Sequence, residues 1–369
     1  MPHARSRSLR SLALALAVAA AAAPALAAPA SKTVEHTIPA DGKVRIANLA
    51  GTVDLMPTGG GPIKVVAVVH AEGDSASETR QLIEAMRWVQ ERDGTWNLAY
   101  PVDDYDAFTY LDDRNSFGGS TSTRFRGERV RVLGRPRLGF GGDSPVLFAD
   151  ITVHVPRGAR LEVVNAVGPA RGEDLAVTEL KVDTGSGNVK LARVEGRLVA
   201  DTGSGDVELS QITGDTVADT GSGTVRIDGI EGGRLRADTG SGDIQISNGT
   251  VRELVADTGS GDIEIEEVRF ETFSGDTGSG DVTVRGGLAG ATDILVDTGS
   301  GEVRLLGGDG FEFDLVADTG SGEVEVGYAD AELRRSRREI IGAVRGSGRT
   351  RVVVGTGSGD VVVAPLGGR

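Results

Sequence analysis

The stretch Val199–Leu209, VADTGSGDVEL, contains a string that recurs along the chain. DTGSG occurs eight times, at steps of 18, 18, 19, 19, 19, 21 and 21 residues, and an imperfect ninth copy, GTGSGD, begins at Gly355 after a gap of 37 residues. The aspartates of the eight copies are Asp183, Asp201, Asp219, Asp238, Asp257, Asp276, Asp297 and Asp318. Periods of this length are typical of solenoids, because one blade of a propeller needs about 40 residues or more.

Apolar and polar residues alternate on both sides of the string, as in a β-strand with one buried face. Burying about five apolar side chains per repeat contributes on the order of 10 kcal/mol, whereas ordering about nineteen residues costs nearly three times as much. A single repeat therefore cannot fold alone, and its strands must pair with the repeats above and below. The sequence predicts an all-β protein, a right-handed single-stranded parallel β-helix (β-solenoid) of about 18–21 residues per coil. A left-handed solenoid is the alternative, but the drift to 21 residues and the missing hexapeptide pattern count against it.

Asp-Thr-Gly-Ser is also the string around the catalytic carboxylate of aspartic proteases. Such a protease needs two carboxylates that share one proton across a cleft. In a solenoid the eight aspartates instead form one column along a corner, about 4.8 Å apart. We expect each aspartate to accept hydrogen bonds from the following Gly-Ser-Gly amides, and each threonine to point inward and bond its counterparts in neighbouring coils. The repeat therefore excludes an aspartic protease.

A second acidic column follows the corner, and the two columns together suggest a cation site. Hard oxygen ligands suit Ca²⁺, although the Gly-Gly-x-Gly-x-Asp calcium repeat is not matched. The candidate calcium ligands are Asp201, Asp206, Asp238, Asp243, Asp257, Asp262, Asp276 and Asp281. We expect no other cofactor.

The composition and the N-terminus indicate an exported protein. The chain has 369 residues, no cysteine and a net charge of −15, which excludes disulfides and thiolate metal sites and disfavours nucleic acid as a partner. Residues 1–27 read as a signal peptide, because three arginines precede an apolar run too short to span a bilayer and Ala-Leu-Ala offers a cleavage site. We therefore expect a periplasmic, cell-surface or extracellular protein whose mature chain has no transmembrane segment.

Residues 28–150 are less regular than the repeats of residues 151–369. We interpret the stretch GKVRIANLAGTVDLMP as a solenoid coil whose repeat motif is degenerate. SASETRQLIEAMRW predicts a helix capped by Ser75 or Ser77, and WVQERDGTWNLAY predicts a hairpin that turns at Asp93-Gly94. We expect the helix and hairpin to cap the open end of the solenoid, which would otherwise invite edge-to-edge aggregation.

An insertion at about residues 102–148 interrupts this pattern, with an acidic, aromatic first half and an arginine-rich second half. It is either a mobile, self-neutralising loop or a ligand-contact loop. In the second case aromatic rings would stack on sugars and guanidinium groups would bind carboxylates. The candidate contact residues are Tyr105, Phe108, Tyr110, Arg124, Arg126 and Arg129.

IANLAGTVDL, ITVHVPRGARLEVVNAVG and the recurring GSGDV and GSGDI together resemble the bacterial putative-adhesin family of β-strand-repeat domains, over about residues 33–365. The resemblance implies a right-handed β-helix and an exported location, in a family whose function is largely unassigned. The arginine-rich insertion departs from a minimal member.

Three functions remain open. The first is a non-catalytic envelope or cell-surface protein, an adhesin-like binding or structural module that contacts an envelope glycan, a protein or further copies of itself. The second is an accessory protein that binds another envelope protein through the N-terminal cap or the 102–148 loop. The third is a polysaccharide-active enzyme, which would need carboxylates clustered in a groove, whereas the acidic residues here follow the repeats.

Overall fold

The computed structural model describes residues 29–111, 119–134, 144–336 and 339–367. These residues form 28 strands and one helix, and all the strands belong to one mixed sheet. In chain order the elements are β1 (Ala30–Ile38), β2 (Lys43–Ala50), β3 (Val53–Thr58), β4 (Ile63–Glu72), α1 (Ala76–Ala85), β5 (Arg87–Gln90), β6 (Trp96–Ala99), β7 (Ala107–Tyr110), β8 (Ser120–Phe125), β9 (Glu128–Gly134), β10 (Val146–Pro156), β11 (Arg160–Val167), β12 (Ala170–Ser186), β13 (Val189–Thr202), β14 (Val207–Thr213), β15 (Thr216–Thr220), β16 (Val225–Thr239), β17 (Ile244–Thr258), β18 (Ile263–Arg269), β19 (Thr272–Thr277), β20 (Val282–Arg285), β21 (Asp293–Thr298), β22 (Val303–Gly307), β23 (Phe313–Thr319), β24 (Val324–Val326), β25 (Glu332–Ser336), β26 (Glu339–Val344), β27 (Thr350–Thr356) and β28 (Val361–Pro365). The predicted signal peptide, residues 1–27, lies outside the described residues. No helix in the described part of the chain is long and apolar enough to cross a membrane.

The predicted β-solenoid is confirmed. Each coil contains a strand that ends in Asp-Thr, a Gly-Ser-Gly corner and a second strand, and the strands of successive coils pair in parallel. The register pairs equivalent residues of successive coils, so that Asp201 lies beside Asp219 and Asp219 beside Asp238. Along each strand buried and more exposed residues alternate, and the Val, Ile and Leu side chains of the buried face form one continuous core.

A column of threonine hydroxyls closes the corners inside the solenoid. Thr258 Oγ1 donates to the carbonyl oxygen of Gly242 in the preceding coil at 2.8 Å and accepts the amide of Gly261 in its own corner at 3.2 Å. The same pair of bonds recurs at Thr239 and Thr277. At one end of the column, two threonines bond each other directly, from Thr184 Oγ1 to Thr202 Oγ1 at 2.8 Å. The inward threonines are thus confirmed, but the corner amide that we expected to bond the aspartate bonds the threonine.

Adjacent coils touch through their backbones at these corners. A Cβ atom added to Gly261 would collide with the carbonyl oxygen of Gly242, and the corresponding glycine of each neighbouring coil faces the same obstacle. Glycine is required here because no side-chain atom fits between two coils.

The spatial order of the coils follows their sequence order at the first coil and departs from it near the C-terminal end. Lys43–Thr58 forms the first coil, since β2 pairs with β11 and β3 with β12. At the other end β27 lies between β21 and β23, and β28 lies between β22 and β24. The imperfect ninth copy of the repeat is therefore an internal coil, and the copy at Asp318 forms the outer one.

The N-terminal region caps the first coil. β3 pairs in parallel with β10, and β10, β4 and β1 continue the sheet in antiparallel order. Helix α1 contacts β4 and β1, and its N-cap is Ser75, whose Oγ accepts the amide of Glu78. β5 and β6 form the predicted hairpin. The described part of the insertion contains β7, β8 and β9, which pair with one another.

We predict that Gly261→Ala destabilises the protein by about 1–3 kcal/mol, because the added methyl group must push two backbones apart. Ser260→Ala, one residue earlier on the exposed side of the same corner, serves as the control. Urea denaturation of both variants measures the effect. Equal stabilities would show that the corner can relax.

Candidate functional site

A cavity of about 590 Å³ opens between the N-terminal hairpins and the first coils. Two turns form its sides: the β5–β6 turn, which contributes Glu91 through Thr95, and the β8–β9 turn, which contributes Thr123 through Gly127. Its floor belongs to the solenoid and includes Ala47, Val164 and Ala166. The cavity thus exists only because the hairpins fold back over the coils.

Four arginines line this cavity in a chain of net charge −15. They are Arg45, Arg92, Arg124 and Arg126. Within the described residues, neither Arg92 nor Arg124 has a carboxylate within ion-pair distance, whereas Arg126 Nε donates to Glu91 Oε1 at 2.7 Å. Arg45 forms a longer ion pair, in which its Nε lies 3.5 Å from Glu162 Oε1.

One of these charges, that of Arg124, lies next to a like charge outside the cavity. β8 and β9 form an antiparallel hairpin in which Arg124 lies directly opposite Arg129. Like charges in this position destabilise a sheet. An anion bound between the two guanidinium groups would turn that repulsion into attraction, because arginine forms paired hydrogen bonds with carboxylates. The backbone of the adjoining turn fixes the hairpin, since Arg126 and Gly127 have φ values of +52° and +90°, as expected for a two-residue type I′ turn.

The carboxylates of the cavity are engaged with protein partners. The backbone amide of Thr95 donates to Asp93 Oδ1 at 2.9 Å, and this hydrogen bond lowers the pKa of Asp93. Beside the cavity, burial opposes ionisation of Glu162, but Lys43, Arg45 and Lys181 prevail and its pKa lies below the usual range. These two groups stay ionised near neutral pH, and neither is suited to donate a proton.

A buried amide network holds the floor of the cavity in place. Asn48 and Asn165 occupy the threonine position of the first two coils, and Asn48 Nδ2 donates to Asn165 Oδ1 at 3.1 Å. Tyr100, which follows the hairpin, donates its hydroxyl to Asn48 Oδ1 at 3.0 Å. Burial raises the pKa of Tyr100. None of these three residues was among the contacts predicted from the sequence, although two Asn residues in the place of Thr were a readable signal.

The structure brings some of the predicted contact residues to the cavity and not others. Arg124 and Arg126 line it, and Arg129 lies exposed opposite Arg124. The prediction for Phe108 and Tyr110 was wrong, because their side chains are 0% and 3% exposed and belong to the core.

Tyr105 also contacts the protein itself. Its hydroxyl donates to Glu78 Oε1 at 2.8 Å, and its ring lies 5.9 Å from that of Phe108. Burial and this hydrogen bond raise the pKa of Tyr105 to about 12. Tyr105, Phe108 and Tyr110 therefore contact the protein itself, and Phe108 and Tyr110 are too deeply buried to stack on sugars.

The Toastrack DUF4097 family model matches residues 138–364. The chain belongs to this family. The match runs from the end of the insertion to the last coil and agrees with the resemblance of the repeats to a family of β-strand-repeat domains. No curated protein matches the sequence.

The Toastrack chain is also similar to two crystal structures. One, named "putative lipid binding protein", is from Parabacteroides distasonis and aligns at 14% identity with a TM-score of 0.36, covering 90% of this chain and 96% of that chain. The other, named "putative cell adhesion protein", is from Clostridium sporogenes and aligns at 8% identity with a TM-score of 0.19, covering 92% of this chain and 100% of that chain.

The second acidic column of the Toastrack coils accepts backbone hydrogen bonds from the neighbouring coils. Asp243 Oδ1 accepts the amide of Asp262 in the next coil at 3.0 Å, and Asp262 Oδ1 accepts that of Asp281 at 2.8 Å. Asp206 does the same for Thr224. Within the described residues no three His, Cys, Asp or Glu side chains are grouped to hold a metal ion. The predicted calcium ligands are thus not grouped in threes, because each of the two columns contributes one carboxylate per coil.

The aspartates of the DTGSG strings form a column of like charges. Burial, together with Asp183 and Asp219, raises the pKa of Asp201. Burial and neighbouring aspartates likewise raise the pKa of Asp219 and Asp257. Lys181 Nζ lies 3.4 Å from Asp183 Oδ2 and offsets part of the repulsion near the start of the column. Because the folded pKa values of Asp201, Asp219 and Asp257 lie above the unfolded ones, ionisation of these three carboxyl groups opposes folding near neutral pH.

We predict that Asp201→Asn raises the melting temperature at pH 7 by about 1–3 °C. The gain disappears as the pH falls through the raised pKa of Asp201 towards 3.8, because the wild-type carboxyl then takes up a proton. Differential scanning calorimetry at both pH values measures this.

The matched control is Asp228→Asn. Asp228 Oδ1 accepts hydrogen bonds from Asn248 and Ser247, and these lower its pKa. Its replacement lowers the melting temperature at pH 7. A melting temperature for Asp201→Asn at or below that of the wild type would contradict a destabilising column.

Proposed function

We propose that the protein is an exported, non-catalytic binding module of the bacterial envelope or cell surface, and that the arginine-lined cavity holds a segment of an acidic glycan. The observation that carries the proposal is the convergence of Arg92, Arg124 and Arg126 on one cavity in an otherwise acidic chain. Arg92 and Arg124 lack an ion-pair partner within the described residues, so they are available to an anionic ligand.

The shape of the cavity favours a glycan segment over a folded protein. Small-ligand sites are concave, with volumes of roughly 300–1,000 Å³, and this cavity is about 590 Å³. A protein partner needs roughly 800 Å² of surface on each side. The floor of Ala47, Val164 and Ala166 offers apolar contact for sugar rings, and the arginines bind their carboxylates.

The charge state of the cavity supports binding without turnover. A glycosidase needs one carboxylic acid with a raised pKa beside an ionised carboxylate. Here Asp93 has a lowered pKa and Glu91 is paired with Arg126. The acidic residues with raised pKa, such as Asp201, belong to the regular column.

We predict that Arg92→Gln/Arg124→Gln weakens binding to an immobilised carboxylated glycan, such as alginate, by about tenfold or more. Arg252→Gln/Arg349→Gln removes the same charge from exposed positions outside the cavity and serves as the matched control. Surface plasmon resonance with the mature chain, residues 28–369, measures both variants, with dextran as a neutral ligand.

Equal loss in the two double variants would mean that only net charge matters, and the cavity would not be the site. Release of new reducing ends from the glycan by the wild type would contradict a non-catalytic role.

The export of the protein is tested separately. We expect the protein recovered from the envelope or medium of its own cells to begin at Ala28, because residues 1–27 are removed as a signal peptide. Intact-mass spectrometry measures this, and a chain that retains Met1 in the cytosol would contradict export.

A further inference from the structure

The floor of the arginine-lined cavity contains a row of four residues in register across the sheet. Asn97 of β6 lies beside Ala47 of β2, and Ala47 lies beside Val164 of β11. Val164 in turn lies beside Asp183 of β12. All four residues line the cavity. At a strand spacing of about 4.8 Å the row is roughly 14 Å long, so the floor runs along the solenoid axis from the cap to the third coil.

The aspartate column of the DTGSG strings begins at the edge of this cavity. Ala47 and Val164 occupy the aspartate position in the first two coils, because Val164 is in register with both Ala47 and Asp183. The next aspartate, Asp201, lies beside Asp183 but does not line the cavity. The floor is therefore uncharged until its last residue, which carries a carboxylate.

The β5–β6 turn places an arginine at the opposite end of the floor. Arg92 lies in this turn, which leads into the strand that carries Asn97. β6 pairs with Ala47 of β2 on the side away from β11, so the turn belongs to the cap. A chain bound along the floor thus meets a guanidinium group at the cap and a carboxylate at the third coil.

The charge of Asp183 is only partly offset by the protein. Lys181 Nζ lies 3.4 Å from Asp183 Oδ2 and 4.0 Å from Glu162 Oε1, so that one ammonium group is shared between two carboxylates. After burial, the charge of Asp183 is the next cause that raises the pKa of Asp201 in the following coil. The side chain of Asp183 is 34% exposed. It is therefore accessible to a ligand in the cavity and remains a source of negative charge there.

On the premise that the cavity is the glycan site of the proposed function, we propose that Asp183 determines which acidic glycan it accepts, by receiving the hydroxyl or acetamido N–H of an uncharged sugar and repelling a second carboxylate. An ionised carboxylate accepts hydrogen bonds but donates none. Like charges brought together on binding select against the wrong ligand. A glycan with a carboxylate on every sugar cannot cover the floor without bringing one towards Asp183. The preferred ligand therefore has uncharged sugars between its acidic ones.

Two hexasaccharides test this selectivity: hyaluronan, with a carboxylate on alternate sugars, and alginate, with one on every sugar. Surface plasmon resonance compares the wild type with Asp183→Asn, which keeps the shape of the side chain and removes its charge. We expect the wild type to bind hyaluronan more tightly than alginate, although alginate carries more charge. We expect Asp183→Asn to bind alginate about tenfold more tightly than the wild type does, and hyaluronan within about threefold of it.

The matched control is Asp201→Asn. It removes the same charge from the position in register with Asp183 in the next coil, outside the cavity. We expect it to change the affinity for alginate by about twofold or less, because salt and solvent screen a charge that does not contact the ligand.

The proposal is overturned if Asp183→Asn leaves the preference between the two glycans unchanged, or if Asp201→Asn shifts that preference equally. If Arg92→Gln/Arg124→Gln still weakens binding in that case, the glycan site stands and only the role of Asp183 fails. If the wild type binds neither hexasaccharide, the glycan site and the role of Asp183 fail together. A gain in affinity confined to alginate and to Asp183→Asn supports the proposal.

Discussion

The close approach of neighbouring backbones at the Gly-Ser-Gly corners is the constraint on which the solenoid depends. Coils that touch there must be in register, because the Thr258 hydroxyl has to reach both a carbonyl of the preceding coil and an amide of its own corner. Once that register is set, the apolar residues before and after the corner stack on their counterparts, each contributing roughly 2 kcal/mol. The core, the sheet and the surface columns all follow from one local contact.

The same register stacks aspartates into columns, so that their like charges repel. Two kinds of contact reduce this repulsion. In the second acidic column each carboxylate accepts an amide of the next coil, so its charge helps to hold the coils together. In the DTGSG column Lys181 and Arg236 offset part of the repulsion, and the raised pKa of Asp201 reports what remains. The second acidic column therefore stabilises the fold, because backbone amides bind its carboxylates. The DTGSG column destabilises it, because its carboxylates face one another.

The sequence predicted the solenoid well because its period and its alternation both depend on local chemistry. It did not predict that the copy at Gly355 lies inside the stack, because coils with nearly identical faces can pair in several orders. The gap of 37 residues was the one clue. Phe108 and Tyr110 were misplaced because the acidic residues around them suggested an exposed loop, whereas pairing with β9 buries them. Arg124 and Arg126 were recognised as candidates, but their neighbour Arg45, 79 positions earlier in the chain than Arg124, could not be associated with them before the hairpins were placed.

The pairing of equivalent residues in successive coils also determines how such a chain can gain or lose residues. Loss or duplication of one whole coil, for example the 19 residues from Asp238 to Ala256, leaves every column continuous and every face correctly directed. Loss of a single residue from a strand turns the remainder of that strand to the opposite face. The interior can therefore grow or shrink in units of one coil, whereas the capped first coil and the coil inserted before the outer one cannot be repeated without changing how each end is closed.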